Sequence, residues 1–219
     1  MIKYVIFDKD GTLLDTEPLF ERSWIVTGEK WGLEGVRDNY YPNITGKGLN
    51  DIKLFIRETY GEDLDADAFL NERMALAYEL LRGDIPFKRG CIEILDFLKA
   101  QGIKTAIATS TVADISINNL KRLGLFDRFD AVVTGDMVKR GKPAPDIFIE
   151  SGRRIGAVPT ETLVVGDSSF DMIGGARAGM IPVMVIDHHQ PNEEAKRVCH
   201  AICNSLFEVI DLIKKENEI

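Results

Sequence analysis

Tyr4, Val5, Ile6 and Phe7 form an unbroken apolar run of β-formers, the pattern of a strand covered on both faces. The run stops at Asp8, a second carboxylate follows at Asp10, and Gly11 permits a sharp turn out of the strand. Further short apolar runs at 103–108, 131–134, 162–165 and 181–186 predict four more strands, the last of them closing the set. Between them the spacing turns helical. Cys91, Ile94, Leu95 and Leu98 share a face and Gly102 stops them; Ile117 and Leu120 lead to a stop near Gly124; a third helix is expected from about Asp146 to Ile155. Strands alternating with helices at this spacing predict an α/β fold whose core is a doubly wound, Rossmann-like parallel sheet.

Residues 16–82 read differently. Phe20, Trp24, Thr27 and Trp31 fall at helical spacing, with Pro18 suited to a first turn. A polar, turn-rich piece with Asn43, Thr45, Gly46, Lys47 and Gly48 follows. Two more helical patterns come next, through Ile52, Phe55, Ile56 and Thr59, and through Leu70, Met74, Ala77 and Leu81. No strand pattern interrupts them. The expected organisation is therefore a core domain of residues 1–15 and 86–219 with an all-helical domain, residues 16–85, inserted after the first strand. The last residues, Lys214 to Ile219, are expected to fray.

Composition narrows the function classes. A net charge of −8 argues against nucleic acid as a partner, since a phosphate backbone demands clustered Lys and Arg. No apolar run approaches a membrane span, and the apolar start is too short for a signal peptide. Three scattered cysteines do not make a disulfide framework, so a cytoplasmic location is expected. Cys199, His200 and Cys203 could offer metal ligands if they shared a helix face, with the adjacent His188 and His189 as the nearest further candidates. Buried thiols on an apolar helix face are the expected reading.

The chemistry collects at strand ends. The first strand delivers Asp8 and Asp10, the next Thr109 and Ser110, and the strand at 162–165 leads to Asp167 with Asp171 close behind. Lys142 sits in a loop between Gly141 and Pro143. In a doubly wound parallel sheet these ends open on one edge. Taken singly, Asp8 and Asp10 could merely end a strand, Thr109 cap a helix and Lys142 dangle from a loop. Taken together, carboxylates from two strands suit a hard cation, a lysine and hydroxyls suit phosphoryl oxygens, and one carboxylate is left to act as a nucleophile.

DKDGT at 8–12, the hydroxyl pair at 109–110, GKPAPD at 141–146 and GDSSFD at 166–171 resemble, in order, the four motifs of the haloacid dehalogenase superfamily. The helical insert resembles the cap of its β-phosphoglucomutase and phosphoglycolate phosphatase branch. The resemblance implies that Asp8 attacks phosphorus and, with the main-chain carbonyl of Asp10 and with Asp167, binds Mg²⁺. The Asp10 side chain would serve as acid and then base, Thr109 and the Ser110 amide would hold phosphoryl oxygens, and Lys142 would bridge Asp8 and phosphate. Asp171 would order the loop behind the metal ligands rather than bind the ion.

Asp10 favours cleavage of a phosphate ester, because the dehalogenases and phosphonoacetaldehyde hydrolases that this family includes have no carboxylate there. The β-phosphoglucomutases carry a histidine on the first cap helix, where this chain has Phe20, and an arginine in the cap loop near Leu49. The resemblance thus implies a Mg²⁺-dependent phosphatase of a small phosphorylated metabolite, a sugar phosphate or phosphoglycolate-like, with Lys47 the cap residue expected to reach the substrate. A sugar phosphomutase is the alternative, and a non-catalytic phosphate-binding regulatory module a remote one. A monomer or weak homodimer is expected.

Overall fold

Six parallel strands lie in the order β3-β2-β1-β4-β5-β6. They are β1 Tyr4–Phe7, β2 Lys104–Thr109, β3 Ala131–Thr134, β4 Thr162–Gly166, β5 Ile181–Val185 and β6 Ala201–Cys203. The strand order reverses between β1 and β4, whose register pairs Phe7 with Val165. Open α/β sheets place their ligands at such a reversal, outside the carboxyl ends of the strands. The computed structural model describes residues 1–45, 47–188 and 190–219.

The chain forms two compact units, one of residues 1–15 and 86–219, the other of residues 16–85. In the first, alternation along the strands divides the side chains between two faces. Ile6, Ala106, Ala108, Val133 and Val164 point to one face, where they pack with Ile147, Phe148 and Ile155 of α7 (Asp146–Ile155). α8 (Ser169–Arg177) packs on β4 and β5, while α5 (Cys91–Ala100) packs with α10 (Leu206–Asn217). α6 (Ala113–Arg122) and α9 (Glu193–Val198) also belong to this unit.

The second unit holds α1 (Glu17–Lys30), α2 (Val36–Asn43), α3 (Leu49–Tyr60) and α4 (Ala66–Leu80). Its core centres on Trp24, fully buried, with Tyr40, Ile56 and Phe69 around it. The Trp24 indole N–H donates to the Val36 carbonyl at 3.1 Å, so the buried ring keeps its polar edge satisfied. No strand lies among its described residues.

Four expectations change. The strand set does not end at residue 186, because Ala201–Cys203 adds β6 at the edge of the sheet. Cys199 and Cys203 therefore share no helix face: Cys199 follows α9 and Cys203 ends β6. Burial pushes both thiols up, Cys203 to about 11, which disfavours the thiolate that metal binding needs. The turn-rich piece after Gly35 contains a whole helix, α2, with Pro42 in its last turn. The C-terminal helix runs to Asn217, whose side-chain oxygen accepts from the Ile2 amide at 2.6 Å and whose amide donates to the Ile2 carbonyl at 2.9 Å. Gly46 and His189, named above, lie outside the described residues.

Candidate active site

β1 carries Asp8 to the point where the sheet reverses. The Asp8 amide still belongs to the ladder, donating to the Val165 carbonyl at 2.8 Å, so the backbone beneath the carboxylate is fixed. The chain then turns tightly, with the Lys9 carbonyl accepting from the amides of Leu13 and Leu14 at 3.1 and 3.0 Å. Gly11 adopts φ +78°, and a Cβ there would stand 2.5 Å from Asp167 Oδ2. Both the conformation and the close approach demand glycine.

Lys142 connects the acids. Its ammonium lies 2.5 Å from Asp8 Oδ1 and 2.5 Å from Asp171 Oδ1, and also rests 5.3 Å from the centre of the buried Phe148 ring. The second Asp171 oxygen accepts from the Ser168 amide at 3.2 Å and its hydroxyl at 2.5 Å, closing a capping box at the start of α8. Asp171 is thus held on both oxygens. Asp167 Oδ1 accepts from the Thr12 hydroxyl at 3.0 Å.

Asp8, Asp167 and Asp171 each offer an oxygen within 4.8 Å of the others, a grouping that could hold a metal ion. Burial, then the neighbouring acids Asp171 and Asp10, push Asp8 up to about 7 despite the opposing pull of Lys142. Burial, then Asp8 and Asp171, raise Asp167 well above the ordinary carboxylate value. Lys142 is held above its ordinary value, because Asp171 and Asp8 outweigh the cost of its burial. Carboxylates crowded in this way, all oxygen donors, fit a hard divalent cation such as Mg²⁺, which would relieve their repulsion.

Asp10 stands in a different environment. Its Oδ1 accepts from Lys9 Nζ at 2.5 Å, and its Oδ2 accepts from the hydroxyls of Thr111 at 2.8 Å and Thr109 at 3.2 Å. Burial alone would raise its pKa, but the charge and hydrogen bond of Lys9 and then the two threonines hold it below the ordinary carboxylate value. Two acids two residues apart are therefore driven in opposite directions by their surroundings.

The structure thus brings Asp8, Asp10, Thr109, Lys142, Asp167 and Asp171 together at one sheet edge. Thr109 ends β2 with its hydroxyl turned to Asp10, while Ser110 is exposed just beyond it. Lys47 belongs to the helical unit, where it is exposed and its amide donates to the Ile44 carbonyl at 3.3 Å. Sequence reasoning passed over Lys9, Thr12, Thr111 and Asp187. Lys9 reads in the sequence as a solvated charge between two acids, and only the structure shows that it is buried. Asp187 follows β5 and pairs with Lys88 at 2.5 Å.

The chain belongs to the haloacid dehalogenase-like hydrolases, whose sequence profile matches residues 5–185. It is 32% identical over 188 residues to a phosphorylated carbohydrates phosphatase of Thermotoga maritima, covering 84% of this chain and 85% of the relative. It is also 32% identical over 185 residues to a fructose-1-phosphate phosphatase of Escherichia coli, covering 83% of this chain and 95% of the relative. The solved structure of a hydrolase from Pseudomonas syringae superposes with a TM-score of 0.76 at 30% identity, covering 99% of each chain. The Rossmann-like sheet described above is the sheet of this family.

Proposed function

We propose that the chain is a Mg²⁺-dependent phosphatase of a small phosphorylated metabolite, a sugar phosphate or a phosphoglycolate-like ester, working through an aspartyl-phosphate on Asp8. The observation that carries this reading is the meeting of Asp8, Asp167 and Asp171 at the sheet reversal, with Lys142 on Asp8 and with Asp10 held beside them by Lys9, Thr109 and Thr111. The sugar-phosphate specificity named for the two relatives supports the substrate class.

In this reading Asp8 attacks phosphorus and the P–O bond to the leaving group breaks. Asp10 delivers a proton to the departing alkoxide, then takes one from the water that attacks the phosphorylated Asp8. Lys142 offsets negative charge on Asp8 and on the phosphoryl oxygens as they meet. Thr109 orients Asp10 through its hydroxyl, and the Ser110 amide would hold a phosphoryl oxygen. Asp8, Asp167 and the Asp10 carbonyl would hold Mg²⁺, which supplies charge neutralisation between nucleophile and phosphoryl group. Asp171 steadies Lys142 and the start of α8.

A sugar phosphomutase is less well supported. The family's mutases would require a histidine where α1 has Phe20, and the Phe20 ring here lies under the Arg73 guanidinium at 5.4 Å. Phosphate release from a panel of phosphorylated metabolites, with Mg²⁺ and with chelator, tests the proposal. Metal-dependent release supports it; sugar-phosphate isomerisation without release would replace it with the mutase.

A further inference from the structure

Lys9 has no exposed surface, although it stands between two acids at the rim of the site. An ammonium is costly to bury, and an apolar side chain would fill the same space without that cost. Its side chain turns back to Asp10, meeting Oδ1 at 2.5 Å. On the other side of the carboxylate, Thr111 and Thr109 donate to Oδ2 at 2.8 and 3.2 Å. Asp10 is therefore gripped from both sides, by a cation on one oxygen and by two hydroxyls from the end of β2 on the other. A carboxylate oxygen accepts more than one hydrogen bond, so Oδ1 keeps a lone pair for the reacting proton.

We infer that Lys9 is a positioning residue that fixes the Asp10 carboxylate for proton transfer at the leaving group. The inference rests on the phosphatase reading above. Lys9 cannot touch substrate, because no solvent reaches it; it acts through Asp10. In the step concerned, the phosphoryl group passes to Asp8, the P–O bond electrons go to the leaving oxygen, and the Asp10 proton joins that oxygen to give the alcohol. In the second step water attacks the phosphorus, its proton goes to Asp10, and phosphate leaves with Asp8 restored.

A loosened Asp10 should matter in proportion to the leaving group's need for a proton. A sugar alkoxide needs one and a nitrophenolate barely does. General acid catalysis contributes roughly 10²–10⁴-fold. Lys9→Met should therefore lower kcat/KM, which reports the step that forms the aspartyl-phosphate, on an alkyl phosphate such as glucose 6-phosphate by about 100-fold while lowering kcat/KM on p-nitrophenyl phosphate by less than about tenfold. In an Asp10→Asn background the same substitution should change the alkyl ester rate no further, because its route of action is gone. Lys9→Gln, which keeps a donor of similar length, should fall between wild type and Lys9→Met, and it carries the test if Lys9→Met does not fold.

An equal loss of kcat/KM on both ester classes, or a further loss in the Asp10→Asn background, would make Lys9 a support of the fold alone and overturn the inference. Unchanged rates would overturn it too. Wild-type release that depends on Mg²⁺ and vanishes in Asp8→Asn, measured beside these variants, keeps the phosphatase reading standing if the inference fails. Wild type without release would overturn both.

Discussion

Lys142 Nζ meets Asp8 Oδ1 at 2.5 Å although 134 positions of sequence separate the two residues. The parallel topology brings them together, since β1 ends at Asp8 and the loop before α7 returns to the same sheet edge. The ion pair is almost wholly shielded from water, with the lysine side chain 6% and the aspartate side chain 10% exposed. At such a place the charge is far more effective than at a surface, where a comparable pair contributes little.

Lys142→Met should therefore lower kcat by about 10²–10³-fold, the range for removing one fixed donor from developing negative charge. Saturating substrate and Mg²⁺ isolate that effect from weakened binding. A loss below tenfold would show that the lysine serves only to pair the acids.

The Thr12 hydroxyl holds Asp167 from outside the metal group. Thr12→Val preserves shape and removes the hydrogen bond. Loss of such a partner typically weakens metal binding by about 10–100-fold. Calorimetric titration of the metal-free protein with Mg²⁺ checks this directly; an unchanged affinity would place Asp167 outside the coordination.

Metal and pH should be linked through Asp8 and Asp167. Both have raised proton affinities in the folded chain, Asp8 at about 7 against an ordinary value of 3.8. A raised carboxylate penalises folding fully above its folded value, and the penalty is relieved as pH falls toward the ordinary value. Asp10 acts the other way, contributing stability above its ordinary value that is lost only in stronger acid. Metal-free protein should thus show a rising Tm as pH falls from about 8 to about 5. Saturating Mg²⁺ should raise Tm most at the alkaline end; at 100 times its Kd a ligand adds about 2.7 kcal/mol. A metal-free Tm that falls over the same window would contradict the crowding of the acids.

Much of this arrangement is legible in the chain because it rests on periodicity and punctuation. Asp8 and Asp167 each stand just past a short apolar run of β-formers that reads as a strand, and Lys142 stands in a Gly-Lys-Pro loop between two such runs. β6 is not legible, because three residues, Ala201, Ile202 and Cys203, carry no period and pair only at the sheet edge. α2 is hidden by its polar residues Arg37, Asp38 and Asn39 and by Pro42, which suggest a turn; burial of Val36 and Tyr40 in the helical unit overrides them. The grip on Asp10 is invisible for another reason. Lys9 reads as a solvated charge, and only the turn that buries it reveals that it pairs with its own neighbour.

The most direct test of the central claim is to find where the phosphoryl group goes. Enzyme turning over a cleaved sugar phosphate with Mg²⁺, quenched in acid and digested, should carry a phosphoryl group on the peptide containing Asp8, and Asp8→Asn should carry none and release no phosphate. Phosphate release that persists in Asp8→Asn, or turnover with the phosphoryl group on another residue, would contradict the account.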